Sequence, residues 1–177
     1  MDFREYIENN KIILLVLPNE TYSKVIMDIA RKLDNAFKGI IYVNMNNLHS
    51  SLMKKFKENN INENNFFFVD VITKSTMSDF KEPENCISVG SPSDLSQIGI
   101  VISEALKEGD FQCLLFDSLS TLLIYNRGSD VTMFVNSVIS KARTFDTVAV
   151  FSVLEDDTAS SFIKKLGMFV DKTINFD

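Results

Sequence analysis

The 177-residue chain holds 45% hydrophobic and 24% charged residues, enough to build one domain with a sizeable core and too few residues for two comfortable ones. Its formal net charge of −6 argues against a nucleic-acid surface, because neutralising phosphates takes clustered Lys and Arg. No stretch approaches the ~18 consecutive apolar residues of a membrane span, and the acidic start MDFREYIENN lacks the basic flank and apolar run of a signal peptide, so a single cytoplasmic domain over residues 1–177 is expected.

Residues 11–17, KIILLVL, are an unbroken apolar run. The turn LPNETYSK (17–24) follows, and then Val25, Ile26, Ile29, Ala30 and Leu33 fall on one helical stripe. That is the layout of a phosphate-binding strand, loop and helix, yet the turn contains no glycine. Further apolar runs come at 39–45 (GIIYVNM), 65–72 (NFFFVDVI), 86–90 (CISVG), 112–117 (QCLLFD), 147–154 (TVAVFSVL) and 168–176 (MFVDKTINF). The main runs lack alternation, as strands buried on both faces do.

Two more stripes predict helices: Leu95, Ile98, Ile102, Ala105 and Leu106, then Val131, Phe134, Val135, Val138, Ile139 and Ala142. In SPSD, Ser91 is the expected cap, Pro92 the first helical residue and Asp94 its reciprocal partner. Gly39, Gly109 and Gly167 are expected at left-handed helix ends. The polar stretch 73–85 reads as a surface excursion between two strands. Alternating strands and helices imply an α/β three-layer sandwich, a mainly parallel central sheet with helices on both faces. Ligands in such folds bind beyond the carboxyl ends of strands, which directs attention to the turns after 17, 45, 70, 117 and 154.

Individual candidates carry little chemistry. Cys86 and Cys113 lie in apolar stretches without CxxC spacing and read as buried, reduced thiols. His49, the one histidine, has no GxSxG nucleophile motif beside it and reads as a surface or helix-start residue. Asp70 and Asp117 both close strands, and a cation shared between them is the functional alternative to two structural carboxylates. A response-regulator reading fails, since Pro18 and Asn19 stand where an acidic pair would follow the first strand. The basic runs at 53–57 and 163–167 read as solvated helix faces.

Two stretches carry a family resemblance: CISVGSPSDLSQIGIVISEAL (86–106) and LLFDSLSTLLIYN (114–126). A strand ending in Asp-Ser before LSTLL resembles the aspartate-bearing strand of the RecA-like ATPases of the KaiC and RadA group, and the layout fits from residue 11 to 176. Within that superfamily the chain looks most like the short archaeal KaiC-like proteins of uncharacterised function that lack a phosphate loop. The resemblance implies the RecA-like fold of P-loop NTPases, with the phosphate loop expected at 17–24. There Lys24 is followed by Val25 rather than a hydroxyl, Pro18 has no amide to donate and Glu20 adds a negative charge. Losing three charge-assisted contacts, at about 1.5–3 kcal/mol each, would weaken phosphate binding on the order of a thousandfold or more. The family's catalytic glutamates would fall at Asn46 and Asn47, whose amides accept no proton. Asp117 stands where the resemblance places a magnesium-organising aspartate, and without a phosphate to share the metal it reads as structural.

The expectation is therefore a non-catalytic pseudo-ATPase without cofactor, acting through protein contacts with itself or a partner. Leu119, Leu122, Leu123, Ile124 and Tyr125 are too apolar for an ordinary loop, and either pack under the sheet edge or form the contact patch. One alternative is weak ATP binding or hydrolysis, with Thr21, Ser23 and Lys24 on phosphate, Asp117 on magnesium, and Asn44, Asn46 or His49 positioning water. Another is a nucleic-acid-associated recombination accessory, which the fold favours and the charge opposes.

Overall fold

A computed structural model of the chain describes residues 3–156 and 160–176. Among the described residues, seven strands form one parallel sheet: β1 (Ile12–Leu17), β2 (Ile40–Asn44), β3 (Phe66–Asp70), β4 (Cys86–Ser88), β5 (Cys113–Asp117), β6 (Val148–Leu154) and β7 (Lys172–Asn175). Their order across the sheet is β4-β3-β2-β5-β6-β1-β7, every described pairing parallel. The helices are α1 (Phe3–Asn9), α2 (Tyr22–Ala36), α3 (His49–Glu58), the single turn α4 (Thr73–Thr76), α5 (Leu95–Glu108), α6 (Leu119–Tyr125), α7 (Gly128–Thr144) and α8 (Ser160–Leu166). Residues 157–159, in the stretch where a turn after 154 is expected, lie outside the described residues.

Apolar runs become central strands because both faces are covered. Ile13, Leu15, Leu17, Tyr42, Leu115 and Val150 meet α1, α2 and α3 on one face. Ile12, Leu14, Val16, Val43, Phe116 and Phe151 meet the layer of α5 to α8 on the other. The sheet grows outward from β1 through β2 and β3 to β4 with α2 and α3 on one face, then returns through β5 and β6 with α5 to α7 on the opposite face. A single crossover hand requires that exchange of faces on reversal.

The excursion 73–85 protects the β4 edge. Pro83 O accepts the Cys86 N–H at 3.0 Å and a Glu82 carboxylate oxygen accepts the Ser88 N–H at 3.3 Å, so both outward donors of this short strand are occupied. At the other end of the sheet, Asp171 accepts the N–H groups of Lys11 and Ile12 at 3.0 and 2.9 Å and pairs with Arg143 at 2.7 Å, fastening the starts of β1 and β7 to α7.

Several local expectations are corrected. Asp94, not Ser91, caps α5, its carboxylate accepting the Gln97 N–H at 2.9 Å, and Pro92 precedes the helix. Of the three glycines expected to be left-handed, only Gly39 has positive φ (+73°), and it enters β2 rather than closing α2. Gly109 caps α5 in an extended conformation with φ −98°. Asn60 and Asp146, at φ 53° and 54°, take left-handed conformations just beyond α3 and α7, a task short polar side chains tolerate. The last strand shortens to Lys172–Asn175, and α1 forms where no helix was expected.

Candidate functional site

Four strands end on polar residues at the carboxyl edge. The register pairs Asp70 with Ser88, Asn44 with Asp70 and Asn44 with Asp117, while Phe116 opposite Phe151 brings Asp117 level with Ser152 on β6. Because side chains alternate along a strand, Asn44 and Asp117 share the α2/α3 face with Tyr42 and Leu115. A polar row thus crosses the sheet under a helical layer, where each group must find partners.

Asp70 finds four. It accepts the N–H groups of Ile72 and Thr73 at 3.0 and 2.7 Å, the Thr73 hydroxyl at 2.8 Å and the Asn44 amide at 3.0 Å. Asn44 also donates to Asn47 O at 2.6 Å and accepts from the N–H of Asn47 at 3.2 Å, which shapes the turn after β2. Asn44 therefore separates Asp70 from Asp117, and no group of three or more His, Cys, Asp or Glu side chains among the described residues is arranged to hold a metal. The shared-cation alternative has no geometric support.

Asp117 is fully buried, and three side chains converge on its carboxylate. Tyr42 donates from the same sheet face at 2.6 Å, Asn46 donates its amide at 2.7 Å, and Tyr22 donates its phenol from the first residue of α2. The Tyr22 hydroxyl also lies 2.9 Å from Ser152 Oγ, which donates to Phe116 O at 3.0 Å. Thr121 on α6 donates to the Asn46 carbonyl, orienting its amide toward Asp117. The Asp117–Ser118 peptide is cis. Burial pushes the Asp117 carboxyl above its ordinary range, against the pull of the three donors and of the Lys55 charge. Burial, then the neighbouring carboxylate, holds Tyr22 and Tyr42 well above the usual phenol range, so both stay protonated donors.

The residues expected to touch phosphate differ in exposure and partners. Thr21 is exposed and makes no side-chain cap bond to α2, and Lys24 is exposed one turn along. Ser23 instead accepts from Lys55 Nζ at 3.1 Å, and Lys55 also donates to Asn47 at 2.7 Å. Tyr22, Ser23, Asn46, Asn47, Lys55 and Ser118 line much of a cavity of about 220 Å³ beside the buried carboxylate. Ligand pockets usually offer about 300–1,000 Å³.

His49 does start a helix, but it is buried rather than on the surface, against the rings of Phe68 and Phe80 at 5.3 and 5.7 Å. Its Nδ1 lies 3.9 Å from both Asp70 Oδ2 and Cys86 Sγ. Burial pushes the Cys86 thiol up to about 12 and raises Cys113 as well, so neither is a thiolate nucleophile; both are free and buried, as expected. Burial depresses the imidazole below 6.5, with Asp70 opposing. The unfolded chain then binds more protons than the folded one between the depressed value and 6.5, so stability is full above about pH 6.5 and is lost as pH falls through that window. Chemical denaturation at pH 7.5 and 5.5 should show this loss in the wild type and a smaller one in His49→Gln; equal losses would remove His49 as the cause. Asp28 and Asp171, held low by basic partners, lose their contributions only below the ordinary carboxyl value of 3.8.

The apolar segment after Asp117 divides. Leu119 and Leu122 are fully buried in the α5–α8 layer and are corrected from contact patch to core, and Leu123 packs partly against them. Ile124 and Tyr125 remain outside, 77% and 53% exposed. Tyr22, Tyr42, Lys55 and Ser152 belong to the site without being among the residues expected there. Two signals were present: Tyr42 and Ser152 interrupt otherwise apolar strands, and Tyr42 lies two residues before Asn44, on the same sheet face.

A seven-stranded parallel sheet between two helical layers defines an α/β three-layer fold, and its match to a KaiC-like structure makes that fold RecA-like. The chain belongs to the family of unknown function DUF7504, whose model matches residues 57–176. Among solved structures it is similar to the KaiC-like protein PH0186 from the hyperthermophilic archaeon Pyrococcus horikoshii OT3, with a TM-score of 0.57 and 7% sequence identity. The similarity covers 82% of this chain and 61% of that one, so this chain spans less than two thirds of its neighbour's length. No curated protein matches. No helix among the described residues is long and apolar enough to cross a membrane.

Proposed function

We propose that this protein is a non-catalytic KaiC-like module, a pseudo-ATPase that acts by contacting proteins. The carrying observation is the occupancy of Asp117: its carboxylate is engaged by Tyr22, Tyr42 and Asn46, and Tyr22 comes from the turn where a phosphate loop would stand. A magnesium-organising aspartate needs free lone pairs facing a phosphate, whereas this one is turned into a buried hydrogen-bond network. The sequence of the turn adds to the case, since Pro18 offers no N–H and Glu20 opposes an anion. Asn46, where the resemblance puts a catalytic glutamate, serves as a structural donor instead. With Leu119 and Leu122 in the core, a partner surface on α6 consists of Ile124 and Tyr125.

Weak nucleotide binding is the second reading, favoured by the cavity that Lys55 and Ser23 border. Isothermal titration with ATP and magnesium separates the two. The proposal expects no detectable heat at millimolar ATP. Binding tighter than about 100 μM, roughly −5.5 kcal/mol, that vanishes in Lys55→Ala would replace it with the second reading.

A further inference from the structure

We infer that a second cavity, at the amino edge of the sheet, binds a guanidinium group. It holds about 470 Å³, within the usual range of ligand pockets, and lies where β4, β3, β2 and β5, consecutive in the sheet, begin. One wall is aromatic. Phe111, two residues before β5, meets Phe67 of β3 at 5.6 Å between ring centroids, although β2 stands between those strands. Two glycines make room for it. A Cβ on Gly39 would stand 3.3 Å from one edge of the Phe111 ring, and a Cβ on Gly109 would overlap the opposite edge. Bare backbone thus seats the ring, and both rings stay half-buried at the cavity.

The polar lining offers acceptors. The Asn85 amide nitrogen donates to the carbonyls of Phe66 and Glu63 at 3.1 and 3.4 Å; both partners only accept, so its carbonyl oxygen is the atom left over. Among the described residues, neither the Glu84 carboxylate nor the Asn64 side chain has a hydrogen-bond or ion-pair partner. Asn65 is fully engaged by contrast, donating to Asp34 and Phe37 and accepting the Gly39 N–H, each at 2.9 Å. A fixed floor therefore carries unpartnered acceptors.

Charge sets the sign of the ligand. The charged side chains among the lining residues and their chain neighbours are Glu63, Glu84, Asp110 and Lys38, and Asp34, bound to Asn65, adds a fourth carboxylate. A phosphate is repelled here and a cation attracted. Shape then follows from the walls: a planar cation lies on the rings while its N–H edges reach Glu84 and Asn85, and a guanidinium presents five donors in one plane. An ammonium has no flat face. The same carboxylates oppose an anionic group at the ligand's other end, which leaves an arginine within a peptide or a free guanidine without a carboxylate.

This site and the Asp117 network lie at opposite ends of β5, so the inference stands apart from the pseudo-ATPase reading, and ATP binding would leave it untouched. The test is a titration of isotope-labelled protein with N-acetyl-arginine amide, followed by NMR at about 0.15 M salt to screen general attraction to an acidic chain. Saturable shifts should appear at Asn64, Phe67, Asn85 and Phe111, with a Kd of about 1 mM. Glu84→Gln should weaken binding about tenfold with an unchanged melting curve, and N-acetyl-lysine amide should bind about tenfold more weakly than the arginine probe. Agmatine separates the sources: binding tighter than that of the capped arginine assigns the site to a free guanidine, and weaker binding assigns it to a peptide. Absence of saturable shifts with both guanidinium probes overturns the inference. So does equal binding of the lysine probe, or a Glu84→Gln variant that binds like the wild type.

Discussion

Asp117→Ala should destabilise the protein by about 2–4 kcal/mol, read as a lower midpoint in urea with an unchanged slope. The substitution strands the Tyr42 hydroxyl and the Asn46 amide, and a buried donor left without its acceptor costs about 1–3 kcal/mol. Tyr22 retains Ser152, so its loss is partial. Relief of the buried charge offsets part of the total, since burial already pushes the Asp117 carboxyl upward. The sign separates the two functional readings. An aspartate kept for metal and phosphate is an uncompensated charge in the empty site, and its removal should leave stability equal or higher. A large loss instead identifies a carboxylate that holds the fold together. The pH dependence gives a second readout. Because its pKa is raised in the folded state, the folded chain binds more protons than the unfolded one just above the ordinary carboxyl value; Asp117 therefore contributes a loss of stability as pH rises through that window. Asp117→Asn should remove this component.

Phe56→Ala should cost about 3–5 kcal/mol, the range for truncating a buried aromatic side chain. Phe56 is fully buried on α3, its ring centroid 4.9 Å from that of Phe66, 5.6 Å from Phe68 and 5.7 Å from Tyr42. The effect should reach the site, because Phe56 supports the ring whose hydroxyl meets Asp117 and belongs to the helix that carries Lys55. A double-mutant cycle with Tyr42→Phe should return a coupling energy above about 0.5 kcal/mol. Strict additivity would show that the aromatic cluster and the carboxylate network act independently.

The layered architecture was legible from the sequence because it depends on local patterning. The runs KIILLVL, IIYVN, FFFVD and CLLFD are apolar at successive positions, which only strands covered on both faces require, and the stripes of α2, α5 and α7 repeat at the helical period. The composition of the turn 17–24 was equally plain, because Pro18 and the missing glycines are properties of single residues. Helix ends were less legible: Asp94 and Ser91 are both competent caps, and only the path of the chain into α5 selected one.

What occupies the site was decided by tertiary structure. Tyr22, Tyr42 and Asn46 lie 95, 75 and 71 positions from Asp117 along the chain and converge on it only because β5 sits beside β2 and α2 crosses the same face. The division among Leu119, Leu122, Leu123, Ile124 and Tyr125 arose the same way, since all five are apolar and the packing of α6 on the sheet determines which are covered. Periodicity reports whether a residue has a buried side; which partner meets it there depends on strand order, and strand order is set by the packing of the whole sheet.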